Sequence, residues 1–102
     1  MLPVIQQHQE ALVALCRKFG VRRLDLFGSA AVGAFQPGRS NLDFLVEFDA
    51  SSYHGMADRY FGLLESLEAL FGVRVDLVVA SAVKNPYFRE SIEKTRKTLY
   101  AA

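Results

Sequence analysis

Residues 27–48, FGSAAVGAFQPGRSNLDFLVEF, decide how this chain is read. The second half of the stretch alternates: Leu42, Phe44, Val46 and Phe48 fall on one side, Asn41, Asp43, Leu45 and Glu47 on the other. A period of two is that of a strand with one face in the core. Asn41 and Asp43 are two apart, so their side chains leave the same face and can converge on one centre. The first half opens with Gly28-Ser29 after an apolar run, and Ala30-Ala31-Val32 then reads as a short helical turn closed by Gly33. Glycine lets another group approach the backbone closely. The N–H groups at the start of a helical turn favour a phosphate, and the Ser29 hydroxyl can add a hydrogen bond to it. Residues 34–41, with Pro37, Gly38 and Ser40, read as the loop between the two halves.

Outward from this stretch the elements are regular. Val21, Leu24, Leu26 and Phe27 predict a strand. Before it, Ile5, Leu12, Leu15, Cys16 and Phe19 recur at helical spacing between Pro3 and Gly20, which predicts an amphipathic helix over 4–19. His8 lies near its apolar stripe and reads as a boundary residue, not a ligand. After residue 48 comes a loop over 49–55, with Ser51 and Ser52 as turn formers. Met56, Tyr60, Leu63, Leu64, Leu67, Leu70 and Phe71 then predict a helix that Gly72 ends. Residues 73–79, VRVDLVV, predict a strand with Val73, Val75, Leu77 and Val79 on one face and Arg74, Asp76 and Val78 on the other. Asn85-Pro86 is a cap residue followed by proline at the first helical position. It starts a helix over 86–97, with Phe88, Ile92, Thr95 and Leu99 inward and Lys94, Arg96 and Lys97 at the negative end of the dipole. The order predicts an α+β fold, a small mixed sheet of about three strands covered by helices.

Asp76 stands in an otherwise apolar strand. An unpaired carboxylate is costly to bury, so Asp76 faces solvent, pairs with Arg23, Arg74 or another arginine, or belongs to a site. A strand ending in Gly-Ser, a strand with polar groups two apart and a later strand with one Asp together suit phosphoryl transfer. That chemistry needs charge neutralisation and in-line positioning. Two Mg²⁺ ions can hold the attacking and leaving oxygens, and such hard cations take oxygen ligands.

The 102 residues suit one compact domain over 1–102, and with 51% hydrophobic residues a core forms without disulfides. The formal net charge of +1 argues against a dominant nucleic-acid surface. The basic groups Arg17, Lys18, Arg22 and Arg23, and Arg89, Lys94, Arg96 and Lys97, read as solvated helix faces. Cys16 is the sole cysteine, so no intrachain disulfide or cysteine zinc site forms, and a reducing cytoplasm is the expected compartment. No signal peptide or membrane-spanning run is read from the sequence. Tyr53, Tyr87, Phe88 and Tyr100 suit either a protein interface or ordinary packing.

Phe27-Gly28-Ser29, taken with residues 41–48, resembles the signature of DNA-polymerase-β-like nucleotidyltransferases, in particular the minimal nucleotidyltransferases (MNT). The resemblance runs from the first helix to Leu99-Tyr100. The family motif is Gly-Ser, a spacer, Asp-x-Asp, and a third Asp on another strand. Eleven residues separate Ser29 from Asn41. The resemblance implies that Gly28 and Ser29 bind nucleotide phosphates and that Asn41, Asp43 and Asp76 hold Mg²⁺ or Mn²⁺. Asp43 and Asp76 would be the catalytic carboxylates, with Asp76 accepting the proton of the attacking hydroxyl. It implies an antitoxin that transfers AMP from ATP to a tyrosine of a small helical HEPN toxin partner.

Three departures from that pattern matter. Asn41 stands where the family has its first carboxylate, Ala30 where arginine often follows Gly-Ser, and Val32 where a basic residue is frequent. Asparagine offers a neutral carbonyl without the charge that holds divalent ions close, so weakened metal affinity is expected. Arg39, in the preceding loop, is the candidate replacement for the missing phosphate contact. Two functions are compatible with these residues: a slow protein-modifying nucleotidyltransferase, or a non-catalytic nucleotide- and partner-binding subunit that neutralises a HEPN-type protein by complex formation. Nucleotide preference, acceptor and oligomeric state stay open.

Overall fold

The computed structural model describes residues 3–36, 38–49 and 55–102. Pro37, Ser51, Ser52 and Tyr53 lie outside the described residues. The elements in chain order are α1 (Pro3–Gln7), α2 (Gln9–Lys18), β1 (Val21–Phe27), a 3₁₀ turn (Gly28–Val32), β2 (Leu42–Phe48), α3 (Met56–Phe71), β3 (Val75–Val79), a second 3₁₀ turn (Ala80–Ala82), α4 (Pro86–Thr95) and β4 (Lys97–Ala101). Asn85 caps α4 as its sequence predicts, its side-chain oxygen accepting from the Tyr87 and Phe88 amides at 2.8 and 3.2 Å.

The fold is α+β, with a mixed sheet in the order β3-β2-β1-β4. β1 is antiparallel to β2 and to β4, and β2 is parallel to β3. The sheet has one more strand than the sequence predicts. The last helix stops at Thr95, where Arg96 turns extended, and Lys97–Ala101 pair with the free side of β1. Lys97–Ala101, with Leu99 and Tyr100 adjacent, carries no apolar alternation, whereas the open backbone groups of β1 need partners. Leu99 and Tyr100 therefore reach the main core from β4 and not from a helix.

One boundary and one burial pattern also differ. The helix expected over 4–19 is broken at His8 into α1 and α2. The His8 ring, Nδ1 2.8 Å from the Val4 carbonyl oxygen, packs edge-on to Phe71 at 5.7 Å. The alternation in β2 predicts one buried face, yet both are covered. Leu42, Phe44 and Val46 join Leu24, Leu26, Val75 and Leu77 under α1, α2 and α3. On the other face Leu45 joins Phe27, Val83 and Ile92 in a second cluster beneath α4.

One buried cation ties the first layer together. Arg59 of α3 donates to the carbonyl oxygens of Phe19 (2.9 Å), Gly20 and Asp49 (3.0 Å), and its guanidinium lies 4.8 Å from the Phe48 ring centroid. The Phe19 and Gly20 carbonyls lie at the end of α2 without helical partners; Arg59 satisfies the first and shares the second with the Asp49 amide, 2.7 Å away. Arg59→Met should lower unfolding free energy by about 3 kcal/mol, the order of a charged group's hydrogen bonds. Urea denaturation checks this, with a reduced midpoint at unchanged slope.

Candidate functional site

The parallel pairing of β2 and β3 sets Asp43 directly opposite Asp76. In-register partners of neighbouring strands point to the same face, so the two carboxylates meet. Asn41, one step before β2, donates from Nδ2 to Asp76 Oδ2 at 3.1 Å. On the other side of β2, Phe27 of β1 is the partner of Asp43, and Gly28 follows it. Gly28 has φ +72°, and a Cβ built there would collide with Asp43 Oδ2. The glycine is needed both for its left-handed backbone and for the space the carboxylate fills. Gly28, Asn41, Asp43 and Asp76 thus form one contiguous group at one end of the sheet.

The electrostatics reflect that crowding. Asp43 is half-buried, and its pKa is pushed up to about 6 by burial first, then by the hydrogen bond with Asp76 and the charge of Asp76. Two carboxylates at close range resist carrying both charges. Asp76 itself is exposed, so the group opens to solvent. Two facing carboxylates and an amide carbonyl form an all-oxygen donor set, which fits a hard divalent cation. Among the described residues no group of three or more His, Cys, Asp or Glu is placed to hold a metal.

The remaining predicted residues are placed less centrally. Ser29 follows Gly28 directly and is half-buried; its carbonyl accepts from the Ala34 amide at 2.8 Å, closing the turn. Ala30 and Ala31 are buried while Val32 is exposed, so a basic residue at position 32 would reach solvent. Arg39 lies in the loop before Asn41 with its side chain exposed, joined to none of the group by any bond among the described residues. Its backbone N–H donates to the Gln36 carbonyl at 3.0 Å. A cavity of about 180 Å³ between α4 and the sheet is lined by Leu45, Val83, Arg89, Ile92 and Arg96 among others. None of the predicted site residues lines it.

One buried carboxylate escapes the sequence reading. Asp25 of β1 is fully buried beneath α4, paired with Arg96 at 2.6 Å and Arg23 at 3.0 Å. Arg96 also pairs with Glu93, and Arg23 donates to Thr98 Oγ1 at 3.0 Å. Arg23 is thus committed to Asp25 and is no partner of Asp76, and Arg96 bridges elements in place of the dipole role its position predicts. The signal is present in the sequence: Asp25 sits in an apolar strand just as Asp76 does.

The family model for the nucleotidyltransferase domain matches residues 8–99. A relative from Methanocaldococcus jannaschii, provisionally named a protein adenylyltransferase, is 36% identical over 91 residues, which is 89% of this chain and 86% of that protein. A solved structure described provisionally as a minimal nucleotidyltransferase superposes with TM-score 0.74 at 32% identity, covering 91% of this chain and 90% of its own. The fold is also that of a chain in the complex of a tri-AMPylated Shewanella oneidensis HEPN toxin with its MNT antitoxin (TM-score 0.65, 17% identity, covering 95% and 72%).

Gly28→Ala should destabilise the protein by about 1–2 kcal/mol for the left-handed backbone alone, with a further loss from displacing Asp43. In Gly28→Ala/Asp43→Ala the second part should vanish, leaving a coupling of about 1 kcal/mol in a double-mutant cycle. Strict additivity of the two changes would show that the glycine and the carboxylate do not touch.

Proposed function

This chain belongs to the nucleotidyltransferase domain family, and we propose that it transfers AMP from ATP to a tyrosine hydroxyl of a small helical HEPN-type protein, acting as its antitoxin in the cytoplasm. The observation that carries this reading is the register of Asp43 with Asp76, with Gly28 against Asp43. The similarity to the Methanocaldococcus relative and to the toxin–antitoxin complex supports it.

Each residue then has a task. The Gly28–Ser29 turn and the Ser29 hydroxyl hold the triphosphate, with Arg39 supplying a cation from the neighbouring loop. Asp43, Asp76 and the Asn41 carbonyl would hold Mg²⁺, or Mn²⁺ in its place. A bound ion would supply Lewis-acid chemistry, neutralising the charge on the phosphate oxygens. The tyrosine oxygen forms its bond to the α-phosphorus while the bond from that phosphorus to the pyrophosphate oxygen breaks. Asp76, the exposed carboxylate, takes the tyrosine proton, and pyrophosphate leaves. Asp43, half-buried and wedged against Gly28, keeps the carboxylate pair aimed at the turn.

The Asn41 amide favours a second reading. It occupies Asp76 Oδ2 and brings no charge. A chain so altered could keep the pocket and neutralise its partner by covering it, without transfer.

Incubation with α-labelled ATP, Mg²⁺ or Mn²⁺ and the HEPN-type partner separates the two. Label on the partner should fall by at least about 100-fold in Asp43→Ala, the size of effect seen when one aligned electrostatic group is lost. Asn41→Asp should raise transfer by about tenfold, equivalent to about 1.4 kcal/mol of barrier. A stable inhibitory complex without label would leave only the covering role. Arg39→Ala should weaken ATP binding several-fold, by about 1 kcal/mol; unchanged affinity in calorimetry would remove Arg39 from the site.

A further inference from the structure

We propose that Thr95, the last residue of α4, is a positioning residue that holds the phosphate-binding turn in place through the Gly28 amide. The inference rests on the proposed nucleotide site and extends it to a residue 67 positions away in sequence.

The Gly28 N–H donates to Thr95 Oγ1 at 2.9 Å. The Thr95 hydroxyl in turn donates back into its own helix, with the Ser91 carbonyl oxygen at 3.2 Å and that of Ile92 at 3.4 Å. That geometry leaves the oxygen lone pairs to Gly28, a side-chain bond of the kind threonine makes to the preceding turn. The next residue, Arg96, is fixed on the buried Asp25 of β1. The end of α4 is therefore anchored at two successive residues, on the middle of β1 and on the turn directly after that strand.

Gly28 is the point where such an anchor matters. It has no side chain to pack, and its backbone is in the left-handed region, which glycine enters and leaves freely. Its Cα side abuts Asp43 Oδ2, so a rotation about Gly28 moves both the Ser29 hydroxyl and the space allotted to the carboxylate. The bond to Thr95 points the Gly28 amide inward and leaves the phosphates to Ser29 and the later amides of the turn. Thr95 has no bond to Asn41, Asp43 or Asp76 among the described residues and takes no part in the chemistry.

The test uses the full chain as wild type, Thr95→Val and Thr95→Ser, with Thr95→Ala in place of the valine variant if that one does not fold. Three quantities are read: hydrogen exchange of the Gly28 amide by NMR, the Kd of a non-hydrolysable ATP analogue with Mg²⁺, and the Tm. Loss of one neutral hydrogen bond predicts about five- to tenfold faster exchange at Gly28 and a comparable rise in Kd for Thr95→Val. Thr95→Ser should restore both, because the hydroxyl and not the methyl carries the effect. A merely structural role would lower Tm and leave Kd unmoved. Measurable wild-type affinity with an unchanged Kd in Thr95→Val overturns the proposal alone. A wild-type chain with no affinity for the analogue overturns the reading of the site and this proposal with it.

Discussion

The parallel ladder between β2 and β3, running from Leu42 opposite Val75 to Val46 opposite Val79, is the constraint on which the rest of the molecule depends. A slip of one residue along it would turn Asp76 into the core and a valine to the surface. Parallel neighbours need a crossover, and α3 supplies it. Leu63, Leu67 and Phe71 bury one face of that helix against the sheet. The helix also pins the strand directly. The Tyr60 hydroxyl donates to the Leu77 carbonyl at 2.6 Å, and Glu68 Oε2 accepts from the Val75 amide at 3.2 Å. β3 lies at the sheet edge, where backbone groups lack a strand partner, and these side chains take that place. The register of the two carboxylates is thus held from the strand on one side and from the helix on the other.

The second layer works differently. α4 covers the face that carries Asp25, Phe27 and Leu45 with a small apolar cluster and a charged network. Asp25 is the only buried carboxylate among the described residues. Burial of a charge is tolerated where geometry and hydrogen bonds compensate it, and loss of one partner then leaves an uncompensated ion. Arg96 and Arg23 supply that compensation from two different parts of the chain. Such a pairing accepts one placement of the helix end, whereas Phe88, Ile92 and Val83 alone would tolerate a shift. A polar anchor at this point suits a helix whose last turn neighbours the proposed phosphate site.

Much of the fold was legible because its signals are local. The alternation of residues 42–48, the helical stripe from Met56 to Phe71, the glycine at 72 and the Asn85-Pro86 start all report short-range preferences, and each element lies where its residues predict. The misreadings have one cause in common. Lys97–Ala101 joins a strand because β1 offers an unpaired edge, and the helix over 4–19 breaks at His8 without a proline or glycine there. Asp25 and Asp76 sit in equivalent sequence surroundings, one sealed beneath a helix and the other open to solvent. No local pattern distinguishes them, because the distinction lies in what covers each strand.

The candidate site divides along the same line. The sequence by itself determined that Gly28 ends a strand, that Asn41 and Asp43 leave one face of the next, and that a further carboxylate lies on a third. Backbone periodicity and glycine's conformational freedom suffice for that. Only the tertiary structure decided that these residues meet. It also gave the Asn41 amide to Asp76, left Arg39 in solvent, and brought Thr95 to the Gly28 amide. Those relations join residues 35 or 67 positions apart. Strand order, register and the docking of α4 place them, and these are properties of the packed whole that no short segment encodes.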